Sequence, residues 1–260
     1  MELIKTTIKV GNSAGVLLPK KYLNSQVKII LEPLNIEKDV LDILMEENLL
    51  SEVLGVYITG SYARGEQTVE SDIDILIVTN KIEKVIKKEK YDLLLITKTT
   101  LEKQLVENAL PILPMIKEAK TIINKDLIKN YVDYSLTRRN LKWHMDTAKS
   151  RIKSISNDLE FYIGINEKYM SDNLAYVLVL RLRTLYVIEC IRKNKISNKE
   201  DFLKLIEKIT GSLKSYEGYV RSKNNQKVKK ELPLNQAEKL VSYINKKIAY
   251  IEKWLKEKKD

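Results

Sequence analysis

Residues 54–78 read LGVYITGSYARGEQTVESDIDILIV, and a few side chains in this stretch have the types and spacing needed for chemistry. Asp72 and Asp74 are one residue apart within an apolar run, so on a strand both carboxylates project from one face while Ile73 and Ile75 project from the other. Carboxylates held side by side repel each other. A divalent cation relieves that repulsion, and oxygen-only ligands suit Mg²⁺ bound together with phosphate groups. Gly60 permits close backbone approach, and Ser61 with the amides of a following helix start can face an anion. The stretch therefore predicts an anion cradle beside a cation cradle. A third acid, Asp92, stands in the otherwise apolar run Tyr91–Thr97. An acid in a buried strand is costly unless paired or metal-bound, and consecutive strands tend to be neighbours, which places Asp92 beside Asp72 and Asp74.

Positioning these groups takes a strand, a turn, a short helix and a second strand: Leu54, Val56 and Ile58 form the first apolar run, and Ile73 onward the second. Before them, Ile36–Val53 carries apolar residues at Ile36, Val40, Leu41, Ile43, Leu44, Leu49 and Leu50, the pattern of an amphipathic helix. After them come a lysine-rich connection at Asn80–Lys90, read as a short helix, and the strand Tyr91–Thr97. A helix follows, capped by Thr99 and Glu102 in the Thr-x-x-Glu manner and running to Asn108; Pro111 and Pro114 break the chain, and Lys120–Asn124 gives a last strand. From Asp126 onward Gly and Pro nearly vanish. Helices are expected over about 125–162, 172–194, 199–209, 213–222 and 236–257. The second carries enough Leu, Val and Ile for the centre of a bundle, interrupted by Arg181 and Arg183, for which a helix-edge ion pair or a cleft-facing substrate contact are the two readings.

The bulk composition fits this layout. A chain of 260 residues with 44% hydrophobic and 31% charged residues can build substantial cores. No apolar run approaches the ~20 residues that span a bilayer, and the start MELIKTTIKV lacks a signal-peptide pattern. The single Cys190 excludes an internal disulfide, and a cytoplasmic protein is expected. A net charge of +11 favours polyanionic partners, although the lysines are spread along helices and are also what a solvated surface looks like.

Gly60-Ser61, Ala63-Arg64-Gly65, then Ser71-Asp72 and Asp74 resemble, without departure, the Gly-Ser-x-Ala-Arg-Gly and Ser-Asp-x-Asp signature of the polymerase-β-like nucleotidyltransferases, the minimal nucleotidyltransferases in particular. The resemblance implies an α+β architecture: a small mixed-sheet nucleotidyltransferase domain at 33–125, an all-α helical bundle at 126–260 for substrate or partner binding, and a short N-terminal β-hairpin element at 1–32. It also implies that Asp72, Asp74 and Asp92 are catalytic and hold two Mg²⁺ ions, and that Gly60, Ser61, Arg64 and Ser71 bind the nucleotide. The implied reaction moves a nucleoside monophosphate, AMP foremost, from an NTP such as ATP to a hydroxyl of a protein or tRNA, within a toxin–antitoxin type system; aminoglycoside-like small acceptors are a further option.

Residues 1–32 are similar to a short AbrB/SpoVT swapped hairpin through Lys9-Val10-Gly11-Asn12-Ser13, Val16-Leu17-Leu18-Pro19-Lys20 and a strand at Val27–Leu31. That family's strands interleave in a DNA-binding homodimer. The similarity implies phosphate contacts from Lys5, Lys9, Lys20, Lys21 and Lys28, and supports an alternative: a non-enzymatic DNA-binding regulator with the nucleotidyltransferase fold as a sensor. A β-extension of the next domain fits the same residues. Finally, Arg139-Asn140 and His144 fit the Arg-x4-His pattern of HEPN ribonucleases. Residues five apart do not share a helix face well, so a surface Arg and a partly buried His are expected instead.

Overall fold

The computed structural model describes residues 5, 7–29, 34–69 and 71–257, which divide into two compact units, 1–39 and 40–260. In the first, β1 (Ile8–Val10) and β2 (Ser13–Gly15) pair antiparallel across a two-residue turn at Gly11-Asn12, where Gly11 has φ +59°. This hairpin lies within the β-hairpin element expected at 1–32. Val16–Leu18 is unpaired: the chain runs on through Pro19, which fixes φ and removes a donor, into a 3-10 turn at Lys20–Tyr22. Val27–Ile29 is also unpaired, and the rest of that expected strand lies outside the described residues, as do Ile4, Thr6 and the side chain of Lys9. Lys5, Lys20, Lys21 and Lys28 are exposed.

Helix α1 (Ile36–Glu46) buries Val40, Ile43 and Leu44, and stops earlier than its apolar pattern suggests because Asn48 turns left-handed, at φ +56°. A 3-10 turn at Leu50–Glu52 leads into β3 (Val53–Ile58), followed by α2 (Gly60–Arg64) and β4 (Ile73–Thr79). The lysine-rich connection is not a helix. Lys84–Lys88 forms β5, antiparallel to β6 (Tyr91–Thr97), through a turn in which Glu89 has φ +54°. Val85 and Ile86 are β-branched, and the pairing edge of β6 beside them outweighs lysine's helix preference.

Helix α3 (Lys98–Glu107) is capped by Thr97, whose hydroxyl accepts from the Thr100 amide, two residues before the expected cap. Pro114 starts α4 (Leu113–Glu118) instead of only breaking the chain, since a proline in a first helical turn costs no hydrogen bond. With β7 (Lys120–Ile123) the mixed sheet has the order β5-β6-β4-β3-β7, in which β4 and β6 alone run parallel.

The single long helix expected next is two, α5 (Lys125–Val132) and α6 (Arg138–Gly164). The break is a capping box: the Thr137 hydroxyl accepts from Asn140 N–H, and the Asn140 side-chain oxygen accepts from Thr137 N–H. The buried Asn140 amide also donates to the carbonyls of Leu105 and Ser135, pinning α6 to the end of α3. Beyond a two-residue strand, β8 (Tyr169–Met170), lie α7 (Asp172–Arg192), α8 (Lys199–Thr210) and α9 (Lys214–Lys223). The short β9 (Leu232–Pro233) pairs with β8, and α10 (Leu234–Glu257) closes the bundle against α6 and α7. Asp172, fully buried, is held by the Nε and Nη2 atoms of Arg221, each at 2.9 Å, which locks α9 to the start of α7.

One hydrophobic core runs without interruption from Tyr57, Leu76 and Val78 of the sheet through Leu101 and Leu141 to Leu182 and Ile244 of the bundle. The sheet and helices of 40–260 are therefore rigidly joined through packing, so their facing surfaces form a fixed cleft. Among the described residues, no helix is long and apolar enough to cross a membrane.

Candidate active site

The acid pair sits where β4 begins. Thr59 N–H donates to the Asp74 carbonyl at 2.8 Å, continuing the ladder between β3 and β4 to the point where the chain turns into α2. Gly60 has φ +68°, and a Cβ there would lie 2.0 Å from Asp74 Oδ2. The close backbone approach expected of Gly60 is thus to the Asp74 carboxylate. Gly65, with φ +73°, ends α2, and the Ser71 hydroxyl accepts from Thr68 N–H at 2.9 Å, closing the loop that delivers Asp72 to its strand.

The sheet brings the third acid alongside. Asp74 and Asp92 are register partners on the parallel strands β4 and β6, and Asp92 is in turn paired across the β5 ladder with Lys87. Its carboxylate accepts from Lys87 Nζ at 2.7 Å. Burial, followed by the charges of Asp92 and Asp72, raises the pKa of Asp74, with Arg64 and Lys223 opposing. Such a pKa marks an undercompensated carboxylate group. Among the described residues, no three His, Cys, Asp or Glu side chains converge closely enough to hold a metal ion, so the expected three-acid cage is not assembled. The reason is local: Lys87, directly across the ladder, engages Asp92. The donor chemistry still fits Mg²⁺, which is commonly bound through one or two carboxylates with substrate phosphates and water supplying the rest.

Two expected anion contacts are engaged within the protein. The Gly60 amide donates to Glu118 Oε1 at 2.7 Å, and Arg64 Nη1 donates to Glu118 Oε2 at 2.6 Å while its Nε donates to Glu66 at 2.8 Å. Burial raises the pKa of Glu118 and outweighs the opposing pull of Arg64 and the Gly60 amide; at Arg64 burial is outweighed by the hydrogen bonds to Glu66 and Glu118, so its pKa rises. Glu118 has no signature in the sequence. It ends the apolar helix α4, and its partners lie 58 and 54 residues away.

Asp72, Asp74, Gly60, Arg64 and Glu118 line an open cleft of about 710 Å³, within the range of ligand-binding clefts, whereas Asp92 is not among its lining residues. Thr59, Gly60, Ser61, Arg64, Ser71, Asp72 and Asp74 form one side. The bundle supplies Arg183 of α7, Lys223 of α9 and His144 of α6, while Pro111, Met115 and Leu180 make an apolar wall. Of Arg181 and Arg183, Arg183 lines the cleft. Arg181 is half-buried with its Nε unpaired, and among the described residues neither forms the expected ion pair.

The HEPN-like residues are separated. Arg139 lies on the surface, 3.5 Å from Glu107, whereas His144 Nε2 meets Asn108 Oδ1 at 2.7 Å at the cleft edge. Burial, aided by the charge of Arg181, pushes the His144 pKa down to about 4. Because its ordinary value is near 6.5, the unfolded chain takes up this proton first, and stability contributed above pH 6.5 is lost as pH falls toward 4. His144 is the only histidine, so its imidazole resonances titrate alone; a midpoint near 4 is expected, and one near 6.5 contradicts the burial argument.

Residues 37–134 match the family described as a nucleotidyltransferase domain. No curated protein sequence matches the chain. Among solved structures, a nucleotidyltransferase-like protein from Exiguobacterium sibiricum 255-15 is similar over 83% of this chain and 75% of its own, at 14% identity and a TM-score of 0.39. The spectinomycin adenyltransferase AAD(9) from Enterococcus faecialis, solved with ATP and spectinomycin, is similar over 82% of this chain and 98% of its own, at 13% identity and a TM-score of 0.44. The chain thus carries a nucleotidyltransferase domain over residues 37–134, and nucleotidyl transfer is the general class of its chemistry.

Proposed function

We propose that this protein transfers a nucleoside monophosphate, AMP foremost, from an NTP to a hydroxyl of a macromolecular acceptor, with an RNA end preferred over a protein side chain. The observation that supports it most is the acid pair Asp72 and Asp74 beside the Gly60-Ser61 turn, on the lip of a cleft whose far side carries Arg183 and Lys223. In this reading Asp72 and Asp74 hold Mg²⁺. Bound Mg²⁺ supplies charge neutralisation at the triphosphate and activation of the attacking hydroxyl. The Ser61 hydroxyl and the amides after Gly60 face the β- and γ-phosphates, Arg183 and Lys223 approach them from the bundle, and Ser71 keeps the loop before Asp72 closed. Asp92, on exchanging Lys87 for the incoming acceptor, takes the hydroxyl proton. The acceptor oxygen then bonds to the α-phosphorus as the bond to the bridging oxygen breaks and pyrophosphate leaves.

The net charge of +11 and the cleft cations favour a polyanionic acceptor. A toxin–antitoxin type setting fits such an activity on RNA. The test is to incubate the protein with Mg²⁺ and each α-labelled NTP in the presence of total tRNA or total cell protein, then digest the product with ribonuclease or proteinase. Label released by ribonuclease is expected. Label released only by proteinase overturns the RNA preference, and the absence of label from every combination overturns the transfer reading.

A further inference from the structure

Glu118 lies in the cleft wall with its side chain 7% exposed, and its two oxygens do different things. One accepts from the Gly60 amide at 2.7 Å and the other from Arg64 Nη1 at 2.6 Å. Arg64 Nε reaches Glu66 at 2.8 Å, and the other oxygen of Glu66 accepts the backbone N–H of Lys199, the first residue of α8, at 3.1 Å. A continuous line of hydrogen bonds therefore runs from the bundle through Glu66, Arg64 and Glu118 to the residue packed against the Asp74 carboxylate.

We infer that Glu118 is a positioning residue for the nucleotide: it fixes the Gly60 turn and the Arg64 fork in one geometry, and through Arg64 and Glu66 it ties that geometry to the bundle. This rests on the nucleotidyl-transfer reading. The chemistry of each group supports it. A five-residue helix has too little backbone to hold its own first turn, and Gly60, in a left-handed conformation, has no side chain to anchor it. A carboxylate accepting two short, charge-assisted hydrogen bonds supplies the anchor. A guanidinium has five donors, and Glu118 and Glu66 engage Nη1 and Nε, which leaves further donors on this cleft-lining residue for a phosphate. Glu66 is more exposed, at 23%, and is the end at which the line of hydrogen bonds meets α8.

The test uses the full chain and three variants, Glu118→Ala, Glu118→Gln and Glu66→Gln. In nucleotide-free protein, amide hydrogen exchange of peptides covering 59–66 is expected to quicken by about tenfold in Glu118→Ala and less in Glu118→Gln, which keeps an acceptor for Gly60. With Mg²⁺ and ATP, KM for ATP is expected to rise by about tenfold in Glu118→Ala while kcat changes much less. Glu66→Gln is expected to shift both in the same direction by about threefold, and its effect is expected to be smaller when Glu118 is already Gln. Glu66→Gln reads the same network should Glu118→Ala fail to fold. Wild-type exchange in the variants overturns the inference, as does quicker exchange with unchanged KM. Tighter ATP binding also overturns it, because Glu118 would then be an anion standing in the phosphate's place. A wild-type protein that transfers no nucleotide refutes the transfer reading, while the exchange result still scores the anchoring role.

Discussion

Asp74→Asn is expected to lower nucleotidyl transfer by about 10³-fold or more while leaving the protein at least as stable as the wild type. The first part follows from charge: an amide keeps the shape of the carboxylate but not the anion proposed to bind Mg²⁺, and interactions of this kind contribute several kcal/mol to the transition state. The second part follows from the environment of Asp74, whose pKa is raised by burial and then by Asp92 and Asp72. An acid with a raised native pKa is a cost to the fold once ionised, because the cost appears as pH rises through its unfolded value and is complete above its folded one. Removing the charge removes the cost at neutral pH. Thermal unfolding at pH 7 beside steady-state rates separates the two effects; a variant that loses activity and also melts well below the wild type would show that Asp74 is a structural acid.

The second large effect is expected at Gly60. Alanine there must hold φ near +68°, which costs about 1 kcal/mol, and its Cβ would lie 2.0 Å from Asp74 Oδ2. Relief requires either the Asp74 carboxylate to move or the turn to open, and either displaces the turn from Glu118. Gly60→Ala is expected to lose about 2–4 kcal/mol of stability and about 10²-fold of activity. Pairing Gly60→Ala with Asp74→Ala in a double-mutant cycle identifies the cause: removing the carboxylate should restore part of the stability, and strictly additive losses would place the strain elsewhere.

How far the sequence disclosed this site depended on how local each interaction is. The strand, turn, helix and strand around Gly60 and Asp74 were legible because alternating apolar residues and a glycine turn are encoded within about twenty positions. The neighbouring position of Asp92 was legible for a related reason, since consecutive strands usually adjoin. The pairing of Asp92 with Lys87 was not, because it required recognising β5 in Lys84–Lys88, where lysine content hid the strand. The division of α5 from α6 was written in Thr137 and Asn140, a capping box whose acceptor is Asn in place of the usual Glu or Gln. Glu118 and Lys223 could not be ranked among the site residues from sequence, and Arg183 could not be told apart from Arg181, because only packing of the bundle on the sheet brings them to the cleft.

Transfer at the α-phosphorus is tested most directly by the position of the label. The protein is incubated with Mg²⁺, total tRNA or total cell protein, and one NTP labelled either at the α- or at the γ-phosphate. The α-label is expected to move to the macromolecule and the γ-label to be released as pyrophosphate, and Asp74→Asn is expected to lose both. Movement of γ-label to the macromolecule, or of neither label with any NTP, contradicts transfer at the α-phosphorus.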